Sequence, residues 1–456
     1  MTGANLTLPV TIERDSPLGL SQQLQDAIRD LINGGGLLEG ALLPPSRQLA
    51  ADLGVSRNVV LDAYSQLRHE GLLATRTGSG TRVGSRARRS PPVRDRQPPW
   101  LDLHPDVTDL AGFPRVAWGR AIEAALREMP DKALGYGPPR GIHELRTQIA
   151  SYLARTRGII ADADSIIVCE GLMAAIGLVR EALDFPRLAA PRIGHPVLAN
   201  GLGRPGPPTT WLDVDDMGIR LNRLPRRPGC AALVQPAHFY PLGAQMPEGR
   251  AELLVSWARR TGGFILENDA GAELSHDGPG PVALQGTAPE RTILTGSVSR
   301  TLAPGLRMGW IVAPPELALA LGRYRARTDP GPPVIDQLAF ARFLADGELD
   351  RHVRRLRGTC QSRSRALVES LDRELDGCPV HAPGSGLHVT IELAGVDDRA
   401  VTSAAAAARV RLFGMSDHVL HGDPLPPGLV VGFGALPEPA AARAARSVRR
   451  AIEDAQ

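Results

Sequence analysis

Apolar residues near the amino terminus recur at the spacing of an α-helix. Leu20, Leu24, Ile28 and Leu31 lie three or four positions apart, so they share one face of a helix. Three consecutive glycines follow at positions 34–36, and glycine disfavours a helix interior. The pattern therefore predicts a first helix that ends before these glycines.

Two further helices are predicted on either side of a turn at Gly54 and Val55. The second begins at Ser46 and the third at Ser56, because serine is a favoured N-cap residue, and Gly71 ends the third. The residues predicted to face inward are Leu49, Ala50 and Leu53 in the second helix and Val60, Tyr64 and Leu67 in the third.

A β-hairpin is predicted after the third helix. Residues 72–83 contain the tripeptide Gly78-Ser79-Gly80, which suits the tip of a tight turn. Two helices joined by a tight turn and followed by a hairpin form a winged helix-turn-helix. This α+β fold is the prediction for residues 11–83.

The pattern changes after Trp100 to short apolar runs that alternate with helical segments. Such runs predict a mostly parallel sheet covered by helices on both faces, an α/β architecture. Residues 315–456 are richer in helix, which predicts a smaller C-terminal lobe with strands near 388–393 and 429–433. The predicted strands of the large sheet are Ile166–Val168, Ala231–Val234, Phe264–Leu266, Thr292–Leu294 and Trp310–Val312.

Composition narrows the class of protein. The chain has 456 residues, enough for about three domains, and its 43% of hydrophobic residues suffice for a sizeable core. It contains no apolar run of about 18 residues and no secretion signal, so a cytoplasmic protein is expected. The four cysteines lie far apart without a Cys/His cluster, so no metal site is expected.

Positive charge is concentrated between residues 41 and 100. This segment has ten arginines and four acidic residues, a net charge of +6, whereas the whole chain carries +3. The remaining residues therefore sum to −3. A basic segment on a mildly acidic body is typical of a nucleic-acid-binding module.

The sequence of residues 11–83 resembles the GntR family of bacterial transcription regulators. The resemblance rests on Leu43-Pro44-Pro45-Ser46-Arg47-Gln48-Leu49-Ala50, on Gly54-Val55-Ser56-Arg57-Asn58-Val59-Val60 and on Gly78-Ser79-Gly80-Thr81. It implies that the third helix enters the major groove of double-stranded DNA. The alternative is that these are only solvated charges on a small helical domain.

Each residue of this module has an expected role. Arg57 and Asn58 are the expected base readers, since arginine pairs bidentately with guanine and asparagine with adenine. Arg47 and the Ser56 hydroxyl are expected to contact phosphates. The full set of predicted DNA-contacting residues is Arg47, Ser56, Arg57, Asn58, Arg76, Gly78, Ser79, Gly80 and Thr81.

Residues 84–99 are predicted to be a linker. They contain five arginines, four prolines and no apolar periodicity, so a semi-extended chain is expected. Contact with DNA phosphates and a simple role in solubility explain the arginines equally well.

Residues 297–309, with the sequence SVSRTLAPGLRMG, resemble the segment of fold-type I aminotransferases in which a lysine holds pyridoxal phosphate as a Schiff base. Here the lysine position is Arg300, and the only lysine in the chain is Lys132. A guanidinium stays protonated and its nitrogen lone pairs are delocalised, so Arg300 cannot form an aldimine. The segment resembles an enzyme site without its nucleophile.

Further strings extend the resemblance to the MocR subgroup of GntR regulators, which join a winged helix to an aminotransferase-like domain. The resemblance predicts that residues 100–456 form a fold-type I domain for effector binding and dimerisation. The strings are Gly112-Phe113-Pro114, Gly135-Tyr136-Gly137-Pro138-Pro139-Arg140-Gly141, Pro236-Ala237-His238-Phe239-Tyr240-Pro241-Leu242-Gly243 and Gly386-Leu387-His388.

Other cofactor-binding residues of this family are also replaced. Asn268 stands where the family has the aspartate of the pyridine nitrogen, and Ala270 replaces the tyrosine that binds the ring hydroxyl. Ile193 replaces an aromatic residue that stacks on the ring, and the carboxylate-binding arginine would fall near Val430. Asp269 could replace the aspartate only if the strand slipped by one residue, which would turn its side chain to the other face.

The resemblance leaves a pocket for an anion. Ser297, Ser299 and Arg307 match the phosphate-binding residues, and Gly171 opens a helix whose amides suit an anion, although Glu170 would oppose one. The predicted ligand-binding residues are Tyr136, Gly171, His238, Asn268, Ser297, Ser299, Arg300 and Arg307, with no catalytic residue and no metal ligand.

The function expected from these features is that of a homodimeric transcription regulator, with Tyr136 reaching the neighbouring subunit. Its sensor domain would bind a phosphorylated or carboxylated effector without a covalent bond. Alternatively the site is vestigial, and its arginines pair with Glu170, Glu267 and Asp269. The rival functions are an active pyridoxal phosphate enzyme and a regulator that binds pyridoxal phosphate noncovalently.

Overall fold

The computed structural model of the protein describes residues 8–14, 16, 18–33, 36–76, 80–84, 100–202, 206–276, 278, 280–328 and 331–456. The chain divides into two compact units, Met1–Pro98 and Pro99–Gln456. The predicted linker, apart from Gly84 at its start, lies outside the described residues.

The first unit contains three helices and a hairpin. Strands β1 and β2 pair antiparallel, and Leu73 lies opposite Val83. The winged helix-turn-helix predicted from the apolar pattern is therefore present. The elements are α1 (Leu20–Asn33), α2 (Ser46–Leu53), α3 (Arg57–His69), β1 (Leu73–Arg76) and β2 (Gly80–Val83).

One apolar core holds the three helices together. Leu24, Leu49 and Leu67 are almost completely buried in it, as the helical spacing predicts. Ile32, rather than the expected Leu31, is the buried residue at the end of α1, and Leu31 packs at the edge of the core. The Tyr64 hydroxyl donates a 2.9 Å hydrogen bond to the Pro44 carbonyl oxygen, which fixes α3 to the chain before α2.

The two predicted serine caps differ from the expectation. Ser46 is the first residue of α2, and the N-cap position belongs to Pro45, whose φ of −56° suits the approach to a helix and whose missing N–H loses no bond there. Ser56 is the N-cap residue of α3, but its side chain makes no capping hydrogen bond. The helices therefore depend more on packing than on side-chain caps.

The second unit is built on a seven-stranded sheet. Its larger lobe comprises α4 (Arg115–Glu128), α5 (His143–Arg157), β4 (Ile166–Cys169), α6 (Leu172–Ala182), β5 (Leu188–Pro191), α7 (Pro196–Leu202), β6 (Thr209–Leu212), β7 (Val214–Asp215), β8 (Gly218–Ile219), β9 (Ala231–Val234), α8 (Glu248–Thr261), β10 (Phe264–Asn268), α9 (Leu284–Thr287), β11 (Thr292–Ser297), β12 (Gly309–Val312), α10 (Pro315–Thr328) and α11 (Val334–Ala345).

The sheet has the strand order β4-β12-β11-β10-β9-β5-β6. Strand β12 runs antiparallel to both neighbours, whereas the other adjacent pairs are parallel. All residues of β4, β5, β9, β11 and β12 are buried, because helices cover both faces. The prediction of a mostly parallel sheet is confirmed, and β12 is its exception.

A smaller lobe follows and includes the first strand of the unit. A four-stranded antiparallel sheet, β13-β14-β17-β16, packs with α12 and α14, and β3 pairs in parallel with β15. Both strands predicted in this lobe are present. The elements are β3 (Leu101–Asp102), α12 (Glu348–Glu374), β13 (Val380–His381), β14 (His388–Glu392), α13 (Asp398–Ala407), β15 (Val410–Arg411), β16 (Phe413–Gly414), β17 (Gly428–Gly432) and α14 (Ala441–Glu453).

Within the described ranges, no helix combines the length and the apolarity needed to cross a membrane. The longest, α12, has 27 residues and carries charged side chains along its length. Cys169, Cys230 and Cys360 are buried free thiols, and Cys378 is half-buried.

Candidate functional site

A cavity of about 190 Å³ lies in the larger lobe where the parallel strands end. Gln235 follows β9, Asn268 ends β10 and Ser297 ends β11. The carboxyl edge of parallel strands is where ligands bind in open α/β sheets. The lining residues are Asp106, Leu172, Met173, His195, Val197, Leu198, Gln235, Tyr240, Asn268, Ala270, Ser297, Ser299, Arg300, Pro304 and Arg307.

Arg300 is one of the charged residues that line this cavity. Its Nε forms an ion pair with Asp106 Oδ1, and its Nη1 donates a 3.3 Å hydrogen bond to the Ala270 carbonyl oxygen. The guanidinium carbon also lies 5.5 Å from the centre of the Tyr240 ring, within the range of a cation–π contact. Three different neighbours therefore hold the guanidinium at the position where the family resemblance places an amine.

Hydroxyl groups and a second arginine also line the cavity. Ser297 Oγ donates a 2.9 Å hydrogen bond to Ser299 Oγ and accepts one of 3.0 Å from the Ser299 backbone N–H. The Arg307 guanidinium lies beside Gly171, the N-cap residue of α6, where an added Cβ would be 3.7 Å from Arg307 Nη1. Helix N-terminal amides, hydroxyls and a guanidinium together suit an oxyanion.

Arg307 has two properties expected of a ligand-binding residue. Its φ of 49° lies in the left-handed region, which costs an arginine on the order of 1–3 kcal/mol and is typical of functional sites. In the part of the chain that the structure describes, Arg307 forms no ion pair with a carboxylate, whereas Arg300 pairs with Asp106. Its charge is therefore available to an anion in the cavity.

Asp269 cannot take the place of the missing aspartate. Its carboxylate points away from the cavity and accepts hydrogen bonds of 3.0 and 2.7 Å from Nε and Nη2 of Arg157, and both side chains are almost completely buried. Burial raises the pKa of Asp269, while the charge and hydrogen bonds of Arg157 oppose that change. Asn268 faces the cavity instead, and its Oδ1 accepts a 3.1 Å hydrogen bond from the Ala270 backbone N–H.

The predicted vestigial network of ion pairs is not the one observed. Glu170 pairs with Arg325 at 2.8 Å, and the two Glu267 oxygens accept hydrogen bonds of 3.0 Å from the first two backbone amides of α9. Together with the Arg157–Asp269 pair, these contacts engage all three carboxylates outside the cavity. The acidic partner of Arg300 is instead Asp106.

Three predicted ligand-binding residues do not line the cavity. Gly171 only adjoins Arg307, and Tyr136 is 99% exposed on the segment between α4 and α5. His238 is buried beyond the cavity lining; its Nδ1 lies 2.8 Å from Ser385 Oγ, and burial lowers its pKa well below the ordinary value. Asn268, Ser297, Ser299, Arg300 and Arg307 do line the cavity.

The two other replaced positions lie in apolar surroundings. Ile193 is completely buried and forms a β-bridge with Val419, and it offers no ring for stacking. Val430 is completely buried in β17 opposite Thr390 of β14. Neither side chain can bind a charged or aromatic ligand.

Sequence reasoning did not identify Asp106, His195 and Tyr240 as lining residues. His195 Nε2 lies 3.5 Å from Asp106 Oδ2, and burial lowers the pKa of His195 to about 4, so this ring is neutral at pH 7. The Tyr240 hydroxyl lies 2.7 Å from His418 Nε2. Of these three residues, only Tyr240 could have been found from the sequence, because it lies in the segment 236–243 that resembles the family. Asp106 and Arg300 are 194 positions apart, and nothing in the sequence connects them.

The side chains present do not fit pyridoxal phosphate held as in an aminotransferase. Ser297, Ser299 and Arg307 line the cavity and suit a phosphate, but the Arg300 guanidinium is already paired with Asp106. Asn268 cannot carry the negative charge that stabilises a protonated ring nitrogen, and Ala270 has no hydroxyl. The cavity is also smaller than the roughly 300–1,000 Å³ of typical ligand pockets.

Several predicted DNA-contacting residues lie on the surface of the first unit. Ser56, Arg57 and Asn58 are exposed at the amino end of α3, and Arg47 is exposed on α2. Arg57 Nε donates a 3.4 Å hydrogen bond to Ser46 Oγ, which links the two helices. Of the other predicted residues, Arg76 ends β1, Gly80 and Thr81 begin β2, and Gly78 and Ser79 lie outside the described residues.

Comparison with known proteins gives matches for both units. The model of the family described as "Bacterial regulatory proteins, gntR family" matches residues 20–83, and that of "Aminotransferase class I and II" matches residues 110–414. The HTH-type pyridoxine biosynthesis transcriptional regulator PdxR of Corynebacterium glutamicum is 33% identical over 440 residues, which cover 94% of this chain and 95% of that protein.

Two further similarities agree with these matches. The probable rhizopine catabolism regulatory protein MocR of Rhizobium meliloti is 28% identical over 458 residues, covering 94% of this chain and 92% of that protein. LysN, an α-aminoadipate aminotransferase of Thermus thermophilus solved with N-(5'-phosphopyridoxyl)-L-leucine, has a TM-score of 0.70 at 22% identity, covering 78% of this chain and 92% of LysN. The predicted aminotransferase fold is confirmed.

The buried pair behind the cavity gives a prediction for stability. Replacing Asp269→Asn should destabilise the protein by about 3–5 kcal/mol, because Arg157 would be left buried without a counter-charge. Replacing Glu290→Gln, whose partner Arg259 is about half exposed, should cost less than about 1 kcal/mol. Denaturant unfolding of both full-length variants measures the difference, and equal costs would show that the Arg157–Asp269 pair is not needed.

Proposed function

This chain belongs to the MocR subgroup of the GntR family of bacterial transcription regulators, and we propose that its aminotransferase-like domain is a noncovalent receptor for a small anion. The single observation that carries the proposal is the cavity with two guanidinium groups, of which only Arg300 has a carboxylate partner among the described residues. The cavity offers cationic and hydroxyl groups but no amine. Binding, rather than covalent chemistry, is what such a site can perform.

The anion would bind at the Arg307 end of the cavity. A phosphate or carboxylate there would meet the Arg307 guanidinium, the hydroxyls of Ser297 and Ser299, and the backbone amides at the start of α6. Charge-assisted hydrogen bonds of this type are roughly twice as strong as neutral ones. Apolar side chains at 172, 173 and 198 complete the wall of the cavity.

An enzyme function is less well supported by the side chains present. Transamination needs a primary amine that can form a Schiff base, and position 300 is arginine. Lys132, the single lysine of the chain, lies in an exposed 3-10 helix at Asp131–Leu134. The name of the Corynebacterium relative refers to pyridoxine biosynthesis, so pyridoxal phosphate is one of the anions to be tested, bound without a covalent bond.

DNA would be bound by the first unit, as its family membership implies. The amino end of α3 presents Arg57 and Asn58, which suit base edges in the major groove, and Arg47 on α2 suits a phosphate. The net charge of +6 between residues 41 and 100 would attract DNA at a distance and make binding sensitive to salt.

A homodimer is proposed as the functional assembly. Leu134 and Tyr136 lie two positions apart on the segment between α4 and α5 and are 66% and 99% exposed. Adjoining exposed apolar groups favour an interface more than single ones do. A dimer would also place two winged helices on one operator with two half-sites.

The first prediction concerns DNA recognition. Arg57→Ala should lose about 1–3 kcal/mol of specific binding and relax the sequence preference, because a bidentate contact to guanine is lost. Arg47→Ala is the control: it should weaken binding to all duplexes alike. Binding titrations of the full-length variants against a selected site and a scrambled duplex measure both effects. Unchanged specificity in Arg57→Ala would remove Arg57 from base reading.

The second prediction concerns the ligand. Wild-type protein should bind inorganic phosphate and pyridoxal phosphate reversibly in equilibrium dialysis. Arg307→Ala should bind them at least about tenfold more weakly, because it loses the unpaired charge of the cavity. Arg223→Ala, which removes an exposed arginine outside the cavity, should bind like wild type.

Covalent trapping separates this proposal from the enzyme function. After incubation with pyridoxal phosphate and borohydride, mass spectrometry should find no phosphopyridoxyl adduct. Arg300→Lys should form at most a weak Schiff base without amino transfer, since Asn268, Ala270 and Ile193 would still hold the ring poorly. An adduct on Lys132, or amino transfer by wild type above background, would establish the enzyme instead.

The third prediction concerns assembly. Light scattering at micromolar concentration should give the mass of a dimer. Leu134→Asp should weaken dimerisation by about tenfold or more, because a charge would enter an apolar interface. Ile160→Asp, at a site 62% exposed on a different loop, should leave the dimer intact. A wild-type monomer, or equal effects of both changes, would contradict this assembly.

A further inference from the structure

We propose that Asp106 is an internal counter-ion that competes with the anionic ligand for Arg300, and that its displacement loosens the chain segment leading to the DNA-binding unit. This inference rests on the proposed function, because it describes how the same cavity receives its ligand. It also narrows the ligand to a small molecule with two anionic groups, one for Arg307 and one for Arg300.

Asp106 already occupies the place that a ligand carboxylate would take. Its Oδ1 is paired with Arg300 Nε, and its Oδ2 lies 3.5 Å from the neutral His195 ring. Beyond this ion pair, Oδ1 is buried without a hydrogen-bond donor in the described part of the chain. The cavity thus holds a carboxylate from its own chain, and an incoming carboxylate or phosphate of similar size can replace it.

The two arginines of the cavity differ in what an anion would meet. Arg307 has no acidic partner in the ranges that the structure describes, so an anion can bind there directly. Arg300 is available only when Asp106 moves away. A ligand with one anionic group would fill the Arg307 end and leave the ion pair intact, whereas a ligand with two would also displace Asp106. The cavity of about 190 Å³ restricts such a ligand to a compact dianion.

The Asp106–Arg300 pair connects the two lobes of the second unit. Arg300 follows β11 of the large sheet, whereas Asp106 belongs to a segment that packs on the smaller lobe. An added Cβ at Gly432 would lie 2.0 Å from the His104 carbonyl oxygen, and one at Gly434 would lie 2.3 Å from the Val107 carbonyl oxygen. The backbone of residues 104–107 therefore lies directly on the end of β17, and Asp106 ties it to the larger lobe.

This segment is also the beginning of the second unit. Residues 101–102 form β3, which pairs with β15, and Asp106 follows four residues later. The chain that connects the winged helix to this unit enters here. A ligand that binds more tightly when Asp106 is displaced shifts the population of molecules toward the displaced arrangement. The size of this shift is limited by the difference between the ligand's affinities for the paired and the displaced arrangement. Through the Asp106–Arg300 ion pair, ligand binding and the attachment of residues 101–107 can therefore influence each other.

Asp109 provides a matched control on the same segment. Its carboxylate lies 3.3 Å from Arg363 of α12, and it does not line the cavity. Asp106→Asn and Asp109→Asn remove one negative charge each from positions three residues apart. Only the first change removes the proposed competitor of the ligand.

The experiment measures binding of succinate and of inorganic phosphate to full-length wild type and variants by calorimetry. We expect Asp106→Asn and Asp106→Ala to bind succinate about tenfold more tightly than wild type, because the internal carboxylate no longer competes. Asp109→Asn should bind like wild type. In hydrogen exchange, succinate should speed exchange in residues 101–113 of wild type, and Asp106→Asn should exchange rapidly there without succinate.

The outcomes separate this inference from the proposed function. One contradicting outcome is that wild type binds phosphate but both Asp106 variants bind phosphate and succinate as wild type does. Another is that Asp109→Asn tightens succinate binding as much as the Asp106 variants do. Either result would show that Asp106 is not an internal counter-ion, while the proposal of an anion receptor would be unaffected. Slow hydrogen exchange in residues 101–113 of Asp106→Asn would contradict the proposal that displacing Asp106 loosens this segment. If neither wild type nor Asp106→Asn binds either probe, the receptor itself is wrong.

Discussion

The buried positive charge of the Arg300 guanidinium requires partners, and the residues around it are arranged to supply them. Its side chain is only 12% exposed, and a charge taken out of water costs several kcal/mol unless it is paired and hydrogen-bonded. Asp106, the Ala270 carbonyl and the Tyr240 ring meet this requirement from three parts of the chain. Because these groups come from both lobes, one substituted residue influences how the lobes are held together.

The same rule accounts for the other charges near the cavity. Arg157 pairs with Asp269 and Arg325 with Glu170, and Glu267 accepts hydrogen bonds from the start of α9. Each of these contacts is internal and stabilises the lobe. Arg307 is different, because among the described residues it has no carboxylate partner, and it combines this with a left-handed backbone. The contrast distinguishes charges that are already paired from the one that an anion can meet directly.

The fold can be kept while the chemistry changes because they depend on different residues. The seven-stranded sheet depends on buried apolar strands and on helices that cover both faces. Aminotransferase chemistry depends on a few side chains beyond the strand ends, among them positions 268, 270 and 300. Replacing those side chains leaves the apolar core unchanged. A regulator can therefore use the scaffold of an enzyme as a receptor.

The sequence by itself determined the architecture and many of its elements, but not β5 and β6 of the large sheet. Apolar residues at helical spacing predicted α1 to α3, and continuous apolar runs predicted β4, β9, β10, β11 and β12, because local periodicity decides which face of an element is buried. The family resemblance also placed Arg300 at the position of the Schiff-base lysine, and an arginine there cannot form an aldimine. The antiparallel direction of β12 was not readable, because direction depends on the path of the intervening chain.

Only the tertiary structure decided which charges meet. Asp106 and Arg300 are far apart in sequence, and so are Arg157 and Asp269, and no local pattern links either pair. Folding brings them together because a buried charge must find a partner among the groups that the topology places nearby. The alternative in which the arginines of the site pair with Glu170, Glu267 and Asp269 fails for the same reason, because these carboxylates accept from Arg325, from the start of α9 and from Arg157. The residue types of the site followed from the sequence, and their pairing followed from the fold.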